Sequence, residues 1–174
     1  AETEWTFEGN ALIKARACAE ITGLPALADD SGIEVDALNQ MPGVRSARWS
    51  GSTATDRAAV DTENLELLLR QVSDVPAEGR TARFVCAMAL VLPDGREEVL
   101  RRAWDGHLAT APMGQNGFGY DPIFIPAGES RSSAELSPEE KDAVSHRGQA
   151  VRAIWPVVLE LVVTGRGPDE GSVA

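Results

Sequence analysis

The chain has 174 residues, 43% of them apolar, and a formal net charge of −11. This length and apolar content suffice for one substantial core, so we expect a single domain over residues 1–164 and a small, polar, flexible tail over residues 165–174. The acidity argues against bulk binding of DNA or RNA, which relies on basic surfaces. A small anionic substrate stays compatible, provided that a local cluster of cations or a metal ion receives it.

The sequence predicts a cytoplasmic protein. It contains no apolar run of bilayer length, and its beginning lacks the basic-then-apolar layout of a signal peptide. Cys18 and Cys86 lie far apart without metal or redox spacing. Both fall on apolar faces of predicted elements, which favours reduced cysteines inside the core.

Hydrophobic periodicity and end signals divide the chain into helices and strands. Thr6 and Gly23 are residue types that begin and end a helix, and a Pro-Asp-Gly turn between two β-rich runs predicts a hairpin. The predicted elements, in chain order, are a helix over 7–22, a strand over 25–30 that continues over 33–35 after a bend at Gly32, a long loop over 39–55, a helix over 61–72, hairpin strands over 80–92 and 96–104, a strand over 123–125, a helix capped by Ser137, and a final helix over 147–163 bent near Pro156.

Two adjacent carboxylates, Asp29 and Asp30, stand at the predicted end of a buried strand. Ligands bind at strand ends in open α/β sheets, and carboxylates there suit a hard cation such as Mg²⁺. Because neighbouring strand residues point to opposite faces, we expect one carboxylate in the site and the other tying down the loop. Taken alone, Asp-Asp-Ser-Gly is more often an ordinary turn than a catalytic site.

The run from Gly117 to Asp121 places two aromatic residues between glycines. Glycine lets the backbone approach a ligand closely, and an aromatic ring offers a stacking face to a base. The alternative, slightly favoured on this loop alone, is a glycine-rich turn whose aromatic side chains fill the core.

Lys141, His146 and Arg147 fall within one short segment around a predicted helix break. Lysine suits phosphate as a compact charge, and arginine offers a planar fork to phosphate or to a carbonyl group. His146 has polar neighbours, which favours a recognition role, whereas the surroundings of His107 favour a surface or core role. Lys14, on the first helix, is expected to be solvated unless its helix face borders the site.

Taken together, these residues resemble the inosine triphosphate pyrophosphatase family, the Ham1 or RdgB-type house-cleaning enzymes. The matching segments follow the family's order from the first residues to the last helix, which is far more specific than any single motif. They are residues 6–11, 28–32, 42–48, 82–84, 117–122, 134–136 and 145–148.

This resemblance implies an α/β fold in which helices flank an elongated, curved, mixed sheet, with two lobes and the active-site cleft between them. It implies hydrolysis of non-standard purine nucleoside triphosphates, such as ITP, dITP and XTP, to the monophosphate and pyrophosphate. It also implies a Mg²⁺ cofactor and a homodimer, with neither nucleic acid nor membrane as a partner.

Roles carried over by motif position make Asp30 the general base or metal-linked carboxylate that activates water, and Glu2 a further metal ligand. The base and sugar pocket would be formed by residues 118–121, Lys141 would reach the nucleotide, and the His146–Arg147 pair would read the base edge. The implied substrate-binding residues are Ser31, Phe118, Gly119, Tyr120, Asp121, Lys141, His146 and Arg147.

The beginning of the sequence departs from the family pattern. Family members begin with a strand and a Thr/Ser-x-Asn-x-x-Lys loop that cradles the triphosphate, whereas this sequence starts directly before the first helix. Gly9 also replaces an expected glutamate or similar residue. Two alternatives therefore stay open: a truncated, catalytically impaired member that binds nucleotides or dimerises, and a pyrophosphatase for a different nucleotide class.

Overall fold

The structure, a computed structural model, describes residues 3–164. The main elements are α1 (Phe7–Thr22), β1 (Ala26–Val35), β2 (Met41–Pro42), α2 (Arg57–Gln71), β3 (Thr81–Val91), β4 (Glu97–Leu108), β5 (Phe124–Pro126), α3 (Pro138–Val144) and α4 (His146–Val158). The expected tail over residues 165–174 and the implied metal ligand Glu2 lie outside the described residues.

Within residues 3–164, five strands form one sheet in the order β2-β1-β3-β4-β5, and each neighbouring pair is antiparallel. The central strand β3 is buried along nearly its whole length because helices and loops cover both of its faces. β1 pairs with β3 from Ala26 to Val35, whereas β2 pairs only with Glu34 and Val35. Helices and a sheet in one fold confirm the predicted α/β class. The sheet was expected to be mixed, but within residues 3–164 it is antiparallel, because each strand pairs only with neighbours that run in the opposite direction.

The strand that carries the paired carboxylates is longer than predicted. Asp29 and Asp30 lie in the middle of β1, and Gly32 keeps its place in the ladder with β3. The expected bend at Gly32 was wrong, because an unbroken partner strand runs past it. Gly32 instead permits a close approach, since a Cβ atom there would lie 2.5 Å from Ser46 Oγ and 2.6 Å from the Gly43 carbonyl oxygen.

Helix α1 has the predicted bounds, with Thr6 as its N-terminal cap and Gly23 in the left-handed conformation at its end. Every fourth side chain is buried and packs against β1 and β3, namely Phe7, Ala11, Ala15 and Ala19. Cys18 lies outside this stripe and is exposed, so its expected core position was wrong. Cys86, in the middle of β3, is buried as predicted.

Other boundaries differ from the predictions for local reasons. α2 begins four residues earlier because the Asp56 carboxylate accepts a hydrogen bond from an amide of its first turn. β4 extends to Leu108 because its last residues pair with β5. α4 continues through Pro156 and passes into a π-helix over Leu159–Thr164.

The largest apolar cluster joins the sheet to α2 and to the loops that follow β4. Phe84 and Tyr120 belong to this cluster and also border the cavity described below, so one wall of the site is part of the core. None of the helices within residues 3–164 combines the length and apolar character that a membrane span requires.

Candidate active site

A cavity of about 160 Å³ lies between β1, α2, the glycine-rich loop and the start of α4. This volume is below the roughly 300–1,000 Å³ of pockets that enclose a whole drug-sized ligand, so it suits a base rather than an entire nucleoside triphosphate. It is bordered by every residue predicted to bind substrate: Ser31, Phe118, Gly119, Tyr120, Asp121, Lys141, His146 and Arg147.

Asp121 organises the glycine-rich loop from a buried position. Its Oδ1 accepts a hydrogen bond from Ser133 Oγ at 2.6 Å, and its Oδ2 accepts one from the Phe118 amide at 2.8 Å and a short one from Lys141 Nζ. A Cβ atom at Gly117 would collide with this carboxylate. With three protein donors on its oxygens, Asp121 positions Phe118 and Lys141 at the cavity.

The two aromatic residues of the loop have different environments. Tyr120 is buried in the core and donates a hydrogen bond from its hydroxyl to the Ser46 carbonyl oxygen at 2.8 Å. Burial, followed by the charge of Asp61, raises the pKa of the Tyr120 phenol, which stays neutral. The Phe118 ring is 61% exposed at the cavity, with Lys141 Nζ 5.3 Å from its centroid. One ring therefore fills the core, and the other can stack on a ligand.

His146 forms part of the cavity wall. Its ring stacks on Phe84, with centroids 4.9 Å apart and planes 13° from parallel, and lies 6.5 Å from Trp104. Burial lowers the pKa of His146 to about 3, so the imidazole is neutral near pH 7. Its buried Nδ1 has no hydrogen-bond partner within residues 3–164. Buried polar atoms are usually satisfied, so this nitrogen is an exception among the described residues.

Arg147 is held at the cavity by Asp29. Its Nη2 and Nε donate to Asp29 Oδ2 at 2.8 and 3.2 Å, and Ser31 Oγ donates to the same oxygen at 3.0 Å. Burial opposes ionisation of Asp29, but the Arg147 guanidinium outweighs it and lowers the pKa of this carboxyl. The ion pair thus fixes a cationic, planar donor group beside the cavity.

Asp30 faces the opposite side of β1, as the alternation of strand side chains predicts. Its carboxylate accepts hydrogen bonds from Lys14 Nζ at 2.8 Å and from Asn10 Nδ2 at 3.3 Å, both on α1. Asp30 is not among the residues that border the base-sized cavity. Lys14, expected to be solvated, is half-buried and forms an ion pair with Asp30. The two neighbouring carboxylates therefore belong to two separate polar centres.

Few of the described side chains are arranged as metal ligands. No group of three or more His, Cys, Asp or Glu side chains in the described part of the chain is placed to hold one. Magnesium at nucleotide sites is usually bound by one or two carboxylates together with substrate phosphates and water, rather than by a complete protein cage. Asp30 can supply one such carboxylate, so among the described residues it is the one that would hold Mg²⁺.

Five residues at the cavity were not singled out from the sequence: Ser46, Ala47, Arg57, Asp61 and Phe84. The signal for Ser46 and Phe84 was their place in the matched segments 42–48 and 82–84. Arg57 and Asp61 stand at i,i+4 spacing and form an ion pair of 3.0 Å. That spacing predicts a helix surface pair, but it carries no information about the loop against which the pair lies.

A family model described as the Ham1 family matches residues 1–157. A relative from Mycobacteroides abscessus named dITP/XTP pyrophosphatase is 58% identical over 165 residues, covering 95% of this chain and 78% of the relative. Another relative of that name, from Cutibacterium acnes, is 59% identical over 160 residues, covering 91% of this chain and 76% of the relative.

Solved structures agree with these matches. The crystal structure of a nucleoside-triphosphatase / dITP/XTP pyrophosphatase from Mycobacterium abscessus is 58% identical, with a TM-score of 0.76, covering 90% of this chain and 80% of that one. The structure of a HAM1 protein from Coxiella burnetii is 44% identical, with a TM-score of 0.83, covering 92% of this chain and 80% of that one.

The neutral state of His146 can be tested by NMR. A His107→Gln variant leaves His146 as the single histidine. Because burial lowers the pKa of His146 to about 3, its ring resonances should not titrate between about pH 5 and 8. The unfolded chain takes up this proton at higher pH, so folding stability should decline as the pH falls from about 6.5 towards 3. A titration midpoint above about pH 5 would show that the folded ring is protonated more easily than this burial allows.

Proposed function

The chain belongs to the Ham1 family, and on that premise we propose that it hydrolyses non-standard purine nucleoside triphosphates such as ITP, dITP and XTP. The products are the nucleoside monophosphate and pyrophosphate. One observation carries the proposal. The exposed Phe118 ring borders the same base-sized cavity as His146 and Arg147, whose side chains can hydrogen-bond to the edge of a base. The two relatives named as dITP/XTP pyrophosphatases support the same substrate class.

Discrimination between 6-oxo purines and adenine follows from the hydrogen-bonding groups of this cavity. Hypoxanthine and xanthine present an oxygen acceptor at the 6-position, where adenine presents an amino donor. Arg147 has only donors, and the neutral His146 ring has one donor and one acceptor. A 6-oxo purine stacked on Phe118 can accept from these donors, whereas an adenine amino group would face another donor and lose its hydrogen bonds to water.

We propose that the phosphate chemistry takes place beside the polar centre that Asp30 forms with Asn10 and Lys14. Lys141 at the cavity and Lys14 beside Asp30 provide cations for the phosphate chain. Asn10 and Lys14 orient the Asp30 carboxylate, which accepts a proton from water as that water attacks the α-phosphorus and pyrophosphate leaves. Bound Mg²⁺ supplies charge neutralisation of the phosphates and activation of water.

We propose the family's remaining attributes as well, a homodimer in the cytoplasm that uses Mg²⁺. The net charge of −11 supports a small nucleotide rather than a nucleic acid as the substrate.

A substrate panel tests the proposed function. Pyrophosphate release is measured with Mg²⁺ from ITP, dITP, XTP, ATP and GTP at matched concentrations. The kcat/KM for the first three should exceed that for ATP by about 100-fold or more, because the Arg147 donors can pair with a 6-oxo group but not with the adenine amino group. Equal turnover of ATP, or no release from ITP, would refute the proposed substrate class.

An Asp30→Asn variant tests the water-activating carboxylate. It keeps the shape of the side chain but removes the charge, so kcat for ITP should fall by about 10³-fold while the Tm changes little. Asp94→Asn, in the exposed turn between β3 and β4, is the matched control and should keep full activity. A large loss of Tm at Asp30, with kcat retained by the folded protein, would assign Asp30 a structural role instead.

A Phe118→Ala variant tests base stacking. Loss of the ring should raise the KM for ITP about tenfold or more and leave kcat within about twofold, because stacking on one base contributes about 1–3 kcal/mol. Phe118→Tyr keeps a stacking ring and should bind ITP nearly as well as the wild type does. An unchanged KM in Phe118→Ala would count against this assignment.

A further inference from the structure

The position of the Phe118 ring depends on its backbone rather than on packing. The ring is 61% exposed, and it is absent from the apolar clusters described for this chain. The flanking residues Gly117 and Gly119 both have positive φ angles, 75° and 62°. Because glycine has wide conformational freedom, the loop backbone could adopt many other conformations if no contacts fixed it. A stacking ring on such a loop needs the amides around it to be held.

Two carboxylates hold two successive amides of this loop. Asp121 accepts from the Phe118 amide at 2.8 Å, and Asp61 accepts from the Gly119 amide at 3.1 Å. These acceptors come from different parts of the fold, because Asp61 lies on α2, 58 positions before Gly119. The second bond therefore ties the loop to α2, which also borders the cavity.

Asp61 is well placed for this function. Its side chain is only 13% exposed and borders the cavity. Arg57, one turn earlier on α2, forms an ion pair with Asp61 Oδ1 at 3.0 Å. The other oxygen, Oδ2, accepts the hydrogen bond from the Gly119 amide. Hydrogen bonds to an ionised acceptor are about twice as strong as neutral ones, so this contact restricts the loop more than an ordinary polar contact would.

We propose that Asp61 is a positioning residue for substrate recognition. By holding the Gly119 amide, it keeps the Phe118 ring at the mouth of the cavity, where the ring stacks on the purine base. The inference rests on the proposed function, and it adds a residue that acts through Phe118 without touching the reacting atoms. Loss of Asp61 should therefore weaken binding of the base and spare the chemical step.

Steady-state kinetics with ITP and Mg²⁺ test the proposal. Asp61→Ala should raise KM about five- to tenfold, with kcat within about twofold, as expected for one lost charge-assisted hydrogen bond. Asp61→Asn keeps an acceptor oxygen and should restore KM to within about twofold of the wild type. Glu66→Ala removes an exposed i,i+4 ion pair on the same helix and is the matched control, with unchanged KM.

A double-mutant cycle separates positioning from a general effect on the fold. If Asp61 acts through the ring, Asp61→Ala should change KM by less than about twofold in a Phe118→Ala background. Should Asp61→Ala fail to fold, Asp61→Ser replaces it, since the shorter side chain also loses the Gly119 amide.

Three results would overturn the inference: a full Asp61 effect in the Phe118→Ala background, a loss confined to kcat, or Asp61→Asn behaving like Asp61→Ala. Wild-type turnover of ITP, measured in the same series, distinguishes these results from failure of the proposed function. A wild-type protein that does not turn over ITP overturns both.

Discussion

The alternation of side chains along β1 is the constraint on which the rest of the site depends. Continuous pairing with β3 keeps Asp29 and Asp30 in regular strand conformation, so their carboxylates must point to opposite faces of the sheet. Asp29 meets Arg147 on α4, and Asp30 meets Lys14 on α1. One dipeptide thereby forms two ion pairs, and under the proposed function it holds a base-reading arginine on one side and activates water on the other.

The cavity is stable because its walls belong to the core. Phe84 and Tyr120 are packed in the main apolar cluster, and the His146 ring stacks directly on Phe84. Burial makes this imidazole neutral, which suits recognition of an uncharged base edge better than a cation would. The Phe118 ring extends from this frame, and its backbone is held by Asp121 and, as we infer, by Asp61. Under the proposed function, this rigid wall and the tethered ring together discriminate flat bases by the hydrogen-bonding groups on their edges.

Local features were predicted well from the sequence, and distant ones were not. The bounds of α1 were correct because Thr6 and Gly23 act within a few residues of themselves. The motif matches also identified residues that border one cavity in the structure. The length of β1 was missed because its pairing partners on β3 lie 47 to 65 positions away, and the contact between Asp61 and Gly119 spans 58 positions. No local pattern encodes such pairs, since they arise only when the chain folds.

The most direct measurement is the fate of ITP with Mg²⁺ in ¹⁸O-labelled water, followed by ³¹P NMR and mass spectrometry. Attack at the α-phosphorus predicts IMP and pyrophosphate as products, with the label in IMP alone. Formation of IDP and inorganic phosphate, or label in pyrophosphate, would place the attack on another phosphorus and contradict the proposed pyrophosphatase reaction.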